Sequence, residues 1–537
     1  MIRPLLVLVN GSIYTMNAAQ PRVEAIALNP ESGAIVGVGS SADMQRLGGP
    51  LAELVDLRGR TVLPGFIDAH IHLLMYNQQL QAVNLLGTRS EQEAAARVQE
   101  RVSRAAKGDW INGGLWDRNL WPGSNFPTRA TLDAVAPDNP VALWSKDGHV
   151  LWVNSRALAL AGVTRDTPDP EGATIVREAS GEPTGVLKEY GATGLITKII
   201  PTETEIAPSL KETMGFLQQR GITSIHDIED HHAVQHFQRL HAENALGLRV
   251  LFFFPKNSLQ ALGRLGLQAG FGDDWLRLGG VKIFADGTLG SQTAAMLDPF
   301  EGTEENRGIL AVPPDEMKNI VDMAAGNRLH VAIHAIGDRA CRVALDGIEQ
   351  AKERAKGTPG AETVRYRLEH VQLIAPEDIQ RMARLGVIAS VQPFHAVSDR
   401  DVAEHYWGER HHRAYAYGTL QQSGISLALG SDAPVETADP LRILHAAVMR
   451  RDDQTPERAP WLPEQSLSVA QALWSYTLGA AYAGGEEGRK GSLEVGKLAD
   501  LVVLGADPFA APTAELPQAP IEATVIGGRV VYGALPA

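Results

Sequence analysis

Short apolar runs recur along the chain and alternate with longer stretches whose apolar positions repeat at helical spacing. That alternation marks strands and helices in succession, and so a parallel sheet or barrel. Eight strand-like runs stand in the middle of the chain: Thr61 to Ile67, Ser224 to Ile228, Arg249 to Phe254, Val281 to Ala285, Val331 to Ile333, Arg367 to Glu369, Val387 to Val391 and Ser426 to Leu429. Eight such strands with helices between them predict an α/β fold, a (β/α)8 TIM barrel.

The two ends of the chain read differently. Leu5 to Val9, Ser12 to Met16, Val23 to Leu28, Ala34 to Val38 and Leu54 to Leu57 are short β segments, with turns at Asn10-Gly11 and at Pro30 to Gly33. Leu501 to Leu504, Ala523 to Ile526 and Arg529 to Tyr532 mirror them, the last two joined by Gly527-Gly528 as a hairpin turn. Residues 1–60 and 490–537 are therefore expected to build one β-sandwich, and 61–489 the barrel. The gap from about 70 to 220 exceeds an ordinary βα connection and predicts an inserted subdomain at about 75–215. Trp110, Trp116, Trp121, Trp144 and Trp152, five of the nine tryptophans, fall inside it. Trp116 and Trp121 are expected to wall a substrate pocket, with ordinary core packing as the alternative.

The 537 residues suit a large barrel with appendages, and 44% hydrophobic with 21% charged residues is enough for a core without disulfides. A formal charge of −14 disfavours nucleic acid and anionic membranes as partners. Cys341 is the only cysteine, which excludes an intrachain disulfide and a multi-cysteine zinc site and fits a reducing cytoplasm. The apolar run Leu5 to Val9 ends at Asn10-Gly11, too short for a signal segment or a membrane span.

Pro64-Gly65-Phe66-Ile67-Asp68-Ala69-His70-Ile71-His72 carries an apolar strand straight into two histidines at i and i+2. In a strand that spacing puts both imidazoles on one face, where they can grip one ion. The C-terminal end of a barrel strand is also where barrel enzymes set their catalytic groups. His334 follows Val331-Ala332-Ile333, His370 follows Arg367-Leu368-Glu369, and Asp432 closes the run from Leu427 to Ser431. Singly, each histidine also reads as a packed core residue, and the aspartate as a helix cap. Together, four histidines and an aspartate at successive strand ends predict a metal site, with donors that suit Zn, Fe, Mn or Ni.

Lys282 lies one residue into the apolar run Val281 to Ala285. A lysine cation there is costly unless paired or neutralised. Two readings stand: an ion pair with Asp286 or Glu369, or a neutral amine that takes up carbon dioxide and becomes a carbamate bridging two metals. Other chemistries fall away. His241-Ala242-Glu243 matches the opening of the zinc nucleobase deaminase signature, but the cysteine pair it requires is absent. No Gly-x-Ser-x-Gly elbow, Walker loop or His-Glu-x-x-His helix occurs. Cys341 follows Arg339-Ala340 at a helix start and is expected to be packed rather than reactive.

Over nearly its whole length the chain resembles the amidohydrolase superfamily, and within it the amidohydrolase-3 group that includes N-substituted formamide deformylases and YtcJ-like hydrolases. The resemblance is carried by PGFIDAHIH at 64–72, WINGGLWDRNLWP at 110–122, DGHVLWVNS at 147–155, GEPTGVLKE at 181–189, VKIFADGTLGSQTA at 281–294, IHAIGD at 333–338, RLEHVQ at 367–372, SVQPFH at 390–395 and GSDAPVE at 430–436. GSLEVGKLADLVVL at 491–504 looks like the return to the β-sandwich. By position, the resemblance implies that His70 and His72 with Asp432 hold the more buried metal and His334 and His370 the more exposed one, with a carboxylated Lys282 between them. It also implies supporting or substrate-binding roles for His149 and His395. The cofactors so implied are one or two divalent metals per chain, zinc first, and the carbon-dioxide-derived carbamate.

The implied activity is hydrolysis of a carbon–nitrogen bond of amide type, N-formyl or N-acyl, by metal-activated hydroxide. Asp432 would take the proton and pass it to the leaving nitrogen. A mononuclear deaminase or lactonase with uncarboxylated Lys282, and a non-catalytic barrel relative, are the alternatives. The expected partner is a small-molecule substrate, with no nucleic acid and no membrane, and a homo-oligomer is compatible with the sequence. Substrate identity lies beyond the sequence, since specificity is set in loops.

Overall fold

The first expected barrel strand is divided at Pro64-Gly65. In the computed structural model, which describes residues 4–145, 150–170, 173–201, 206–290 and 292–536, Thr61–Pro64 pairs within a sheet of the chain ends, and only Phe66–Ile71 enters the barrel. The cause is steric. A Cβ on Gly65 would lie 2.3 Å from Thr223 Cγ2 and 2.4 Å from Thr223 Oγ1, so the chain crosses between sheets at a contact that only glycine permits.

The barrel strands are β1 (Phe66–Ile71), β2 (Ile222–Ile228), β3 (Arg249–Pro255), β4 (Leu276–Phe284), β5 (His330–Ala335), β6 (Tyr366–His370), β7 (Ile388–Val391) and β8 (Leu427–Leu429). Each pairs in parallel with the next. Beyond β8 the chain returns to β1: the Asp432 N–H donates to the His70 carbonyl at 2.7 Å, and the His72 N–H to the Ala433 carbonyl at 2.9 Å. Asp68 Oδ1 accepts from Ser431 N–H at 2.9 Å and from His70 N–H at 3.1 Å. This is the (β/α)8 barrel that the alternation predicts.

Helices cover the barrel with one apolar face each. In Asp338–Arg354, Cys341, Ala344, Leu345, Ile348 and Ala351 recur at three- and four-residue steps and are buried. Cys341 is fully enclosed there, its thiol 3.6 Å from the Leu373 carbonyl, a packed residue as its position suggests. Among the described residues no helix is long and apolar enough to cross a membrane.

The chain ends supply two further sheets. One has the strand order Ala34–Gly39, Ala25–Asn29, Leu6–Val9, Glu53–Asp56; the other runs Arg529–Gly533, Ile521–Ile526, Leu501–Leu504, Thr61–Pro64, Ser12–Tyr14, Arg22–Val23. Leu8 and Ile26 of the first pack in one core with Val62, Leu501 and Val503 of the second. Gly527 and Gly528 both have positive φ, 58° and 72°, as a tight two-residue hairpin turn requires.

Residues Met75–Leu210 form a separate compact unit. It has its own six-stranded sheet and a core in which Trp116 and Trp121 stack at 5.8 Å, with Trp152 edge-on to both. Trp116 is 2% and Trp121 6% exposed, and their indole N–H groups donate to the Leu143 and Thr88 carbonyls at 2.9 and 3.0 Å. Both have the placement of core aromatics, with polar edge and ring faces engaged inside their own unit.

Gly65→Ala is expected to destabilise the protein by about 1–3 kcal/mol, the usual cost of forcing an extra carbon into a packed contact. Thermal unfolding should show the loss, and Thr223→Ala in the same chain should recover part of it. An unchanged unfolding temperature for Gly65→Ala alone would refute the steric account of the strand break.

Candidate metal centre

The five predicted histidine and aspartate ligands converge at the C-terminal ends of the barrel strands. His70 lies in β1 and His72 just beyond it, His334 in β5, His370 at the end of β6, and Asp432 just past β8. Ring centroids are 5.4 Å apart for His70 and His72, 4.9 Å for His70 and His370, and 4.6 Å for His370 and His334. Asp432 Oδ1 is 3.1 Å from His72 Nε2 and 3.3 Å from His70 Nε2, while Oδ2 is 3.1 Å from His395 Nε2. The donor atoms of His70, His72 and Asp432, and again those of His370, His395 and Asp432, lie within 4.8 Å of one another. Lys282 Nζ stands 3.4 Å from His70 Nε2. His149 lies outside the described residues.

The orientation of each imidazole is set by what holds its other nitrogen. His70 Nδ1–H donates to Glu369 Oε2 at 2.6 Å, and His370 Nδ1–H to Gln392 Oε1 at 2.8 Å. His72 Nδ1 is bound to the Ile228 carbonyl. These three therefore present Nε2. His334 is reversed: its Nε2–H donates to the Gly287 carbonyl at 2.9 Å, and its Nδ1 is buried with no hydrogen-bond partner among the described residues. An orphaned buried lone pair calls for an explanation, and a divalent ion bound at Nδ1 supplies one. The donor set thus fits a metal.

Behind the histidines lies a buried charge chain. Arg367 holds Glu369 through Nε to Oε1 at 2.5 Å and Nη2 to Oε2 at 3.0 Å, and also donates to Ser390 Oγ and His226 Nδ1 at 2.8 Å each. Arg367, Glu369 and His70 are all fully buried. Two ligand positions also carry unusual backbone: His370 has φ 75° and Asp432 φ 58°. Left-handed conformations at non-glycine residues cost on the order of 1–3 kcal/mol and cluster at functional sites.

Burial lowers the His70 imidazole to about 3 and His334 to about 4, and holds His370 well below its ordinary range. All three are neutral near pH 7, the form that ligates metal. Burial would raise Asp432, but the neighbouring His70 and the contacts with His395 and His72 outweigh it and keep the carboxyl well below the usual range. For His395 burial acts downward, and the hydrogen bond to Asp432 turns the net shift upward. Burial brings the Lys282 amine down to about 8, against the opposing pull of Glu369 and Asp432.

Neither carboxylate weighed as an ion-pair partner for Lys282 pairs with it. Asp286 accepts backbone N–H groups from Gly337, Ala295 and Ile336 at 2.8, 2.9 and 3.1 Å, and Glu369 is taken by Arg367 and His70. Among the described residues Lys282 forms no ion pair. The sequence pattern assigned no part to Arg367 or Gln392, and Asp286 and Glu369 were weighed only as ion-pair partners of Lys282. One signal was available: Arg367 and Glu369 alternate on one face of a strand that is otherwise apolar and buried.

Residues 53–532 match the model of the amidohydrolase family. The chain belongs to that family. This amidohydrolase is 35% identical to protein LONG AFTER FAR-RED 3 of Arabidopsis thaliana, over 98% of this chain and 91% of that one. It is 32% identical to the amidohydrolase YtcJ of Bacillus subtilis, over 97% and 98% of the two chains, and 30% identical to N-substituted formamide deformylase of Arthrobacter pascens, over 98% of each. Among solved structures it is similar to an uncharacterized metal-dependent hydrolase from Pyrococcus furiosus, with a TM-score of 0.75 and 29% identity over 94% of this chain and 99% of that one. The family that the motifs resemble is thus the family the chain is in, and its general class is that of the hydrolases.

Gln392→Leu removes the acceptor that fixes His370 and keeps the volume apolar. Metal affinity of the amidohydrolase should fall about 10–100-fold, as outer hydrogen-bond partners of ligands usually dictate. Competition with a chromophoric chelator measures it, with circular dichroism to check folding. Affinity unchanged from that of the parent protein would show that Gln392 does not position His370 for metal.

Proposed function

We propose that this amidohydrolase cleaves an amide-type carbon–nitrogen bond, N-formyl or N-acyl, in a small molecule, using two zinc ions and a carboxylated Lys282. The observation that carries the reading is Asp432: a buried carboxylate 3.1 Å from both His72 Nε2 and His395 Nε2 and 3.3 Å from His70 Nε2. His70, His72, His334, His370, Asp432 and Lys282 would hold the ions. A bound divalent metal polarises a carbonyl and brings the pKa of water close to neutrality.

The chain's own groups then handle the proton. Asp432 accepts it from the attacking water and returns it to the leaving nitrogen, so that R–CO–NH–R′ and water become R–COOH and R′–NH2. His395 anchors Oδ2, which leaves Oδ1 turned to the centre. The relative named for formamide deformylation supports a carbon–nitrogen bond over a lactone.

Lys282 supports the two-metal form. Its neutral amine adds to carbon dioxide: the nitrogen–carbon bond forms, one carbon–oxygen electron pair moves to oxygen, and the nitrogen loses a proton to solvent water. The product is an anion with two donor oxygens where a cation would be buried without an ion pair.

Two experiments test the reading. Metal-reconstituted protein should hydrolyse members of a panel of N-formyl, N-acyl, carbamate and lactone compounds, with the amides turned over fastest; Asp432→Asn should fold and lose about 100- to 10,000-fold in kcat. Near-native turnover by that variant, or a preference for lactones, would sink the assignment. For Lys282, reconstitution with 13C-bicarbonate and a diamagnetic metal should give a carbamate carbon resonance that is missing from Lys282→Ala. A metal-loaded, active protein that lacks the resonance and holds one ion per chain would favour the mononuclear alternative.

A further inference from the structure

Phe284 ends β4 two residues after Lys282, on the same face of the strand and one step nearer the barrel mouth. Lys282 Nζ lies 4.8 Å from the centre of its ring, and the ring is 5.3 Å from that of His334, tilted by 42°. In the sheet Phe284 pairs directly with His334. Residues Leu278 to Ile283 of β4 are buried, yet Phe284 is 50% exposed. A large aromatic surface is thus left open beside the metal centre, where burial against a ligand is the favourable outcome.

The rings follow one another as Phe284, His334, His370 and His395, at steps of 5.3, 4.6 and 6.0 Å, and Asp432 is held at the His395 end. On the reading proposed above, on which this inference rests, the leaving nitrogen lies at Asp432. The substituent on the other side of the scissile carbonyl then extends toward His334 and Phe284. We infer that Phe284 forms an acyl subsite, and that the preferred substrates are N-acyl compounds with a flat apolar acyl group, above all N-aroyl compounds. The hydrogen of a formamide leaves this ring uncovered and gains nothing from it, whereas an aryl ring can stack on it. That sets the chain apart from its relative named for formamides.

The test holds the amine constant and varies the acyl group: N-formyl-, N-acetyl- and N-benzoylbenzylamine, with metal-loaded protein. The wild type should show kcat/KM rising from formyl to benzoyl. Phe284→Ala should lower the ratio of the benzoyl to the formyl value about tenfold, ~1.4 kcal/mol, since apolar subsite contacts discriminate through the group they touch. Phe284→Leu keeps apolar bulk and should still lower the ratio of the benzoyl to the acetyl value, so the conclusion survives if the alanine variant folds poorly. Calorimetry supplies a readout apart from turnover: the product benzoate should bind the wild type more tightly than formate, and Phe284→Ala should abolish the difference. Equal losses across the three amides, a wild-type preference for formyl, or benzoate binding unaffected by Phe284→Ala would overturn the subsite while leaving amide hydrolysis in place. A wild type that cleaves none of the amides would instead overturn the amide reading, and the subsite with it.

Discussion

The return of the chain from β8 to β1 is the constraint on which the centre depends. His72 and Asp432 are 360 residues apart in sequence and 3.1 Å apart in space. They meet because the backbone of Asp432 donates to His70 and that of His72 to Ala433, with Asp68 clasping Ser431 from within β1. The two main-chain bonds each join a candidate ligand to its neighbour strand, so closing the barrel and bringing His70, His72 and Asp432 together are one event. Parallel strands separated by long crossovers gain little from local contacts, which is why the join is reinforced by a buried carboxylate as well as by main chain.

Charge in the centre is arranged around neutrality. Burial favours the neutral imidazole at His70, His334 and His370, the neighbouring His70 and the hydrogen bond with His395 favour the ionised form of Asp432, and the Arg367–Glu369 pair stands behind His70 with no net charge. The exception is Lys282, whose amine is enclosed without a carboxylate partner. A buried cation with no counterion is the least stable element of such a set, so the chemistry at that nitrogen decides the state of the whole site.

Much of this was legible in the sequence. The i, i+2 spacing of His70 and His72 and the strand-end positions of His334, His370 and Asp432 follow from local pattern alone, because a strand fixes which side chains share a face. Partners that meet only through tertiary closure were not legible: Gln392 against His370, Asp286 against three backbone N–H groups, and Arg367 against His226 all join separate strands or loops. The break at Gly65 was hidden for the same reason, since apolar Thr61 to Ile67 reads as one strand until Thr223 occupies the space beside the glycine. Trp116 and Trp121 show the converse limit. Composition signals large aromatic surface but says nothing of which side of a sheet will cover it.

The strand Thr61–Pro64 has Ser12–Tyr14 on one edge and Leu501–Leu504 on the other. On the ribosome the first neighbour is available at once, but the second is made roughly 440 residues later, on the order of a minute at usual elongation speeds. Through that interval an apolar edge strand stands unpaired, the kind of surface that recruits other chains. The topology that lets both termini share one sheet therefore moves a folding risk onto the nascent polypeptide, and makes the final strands the ones that end its exposure.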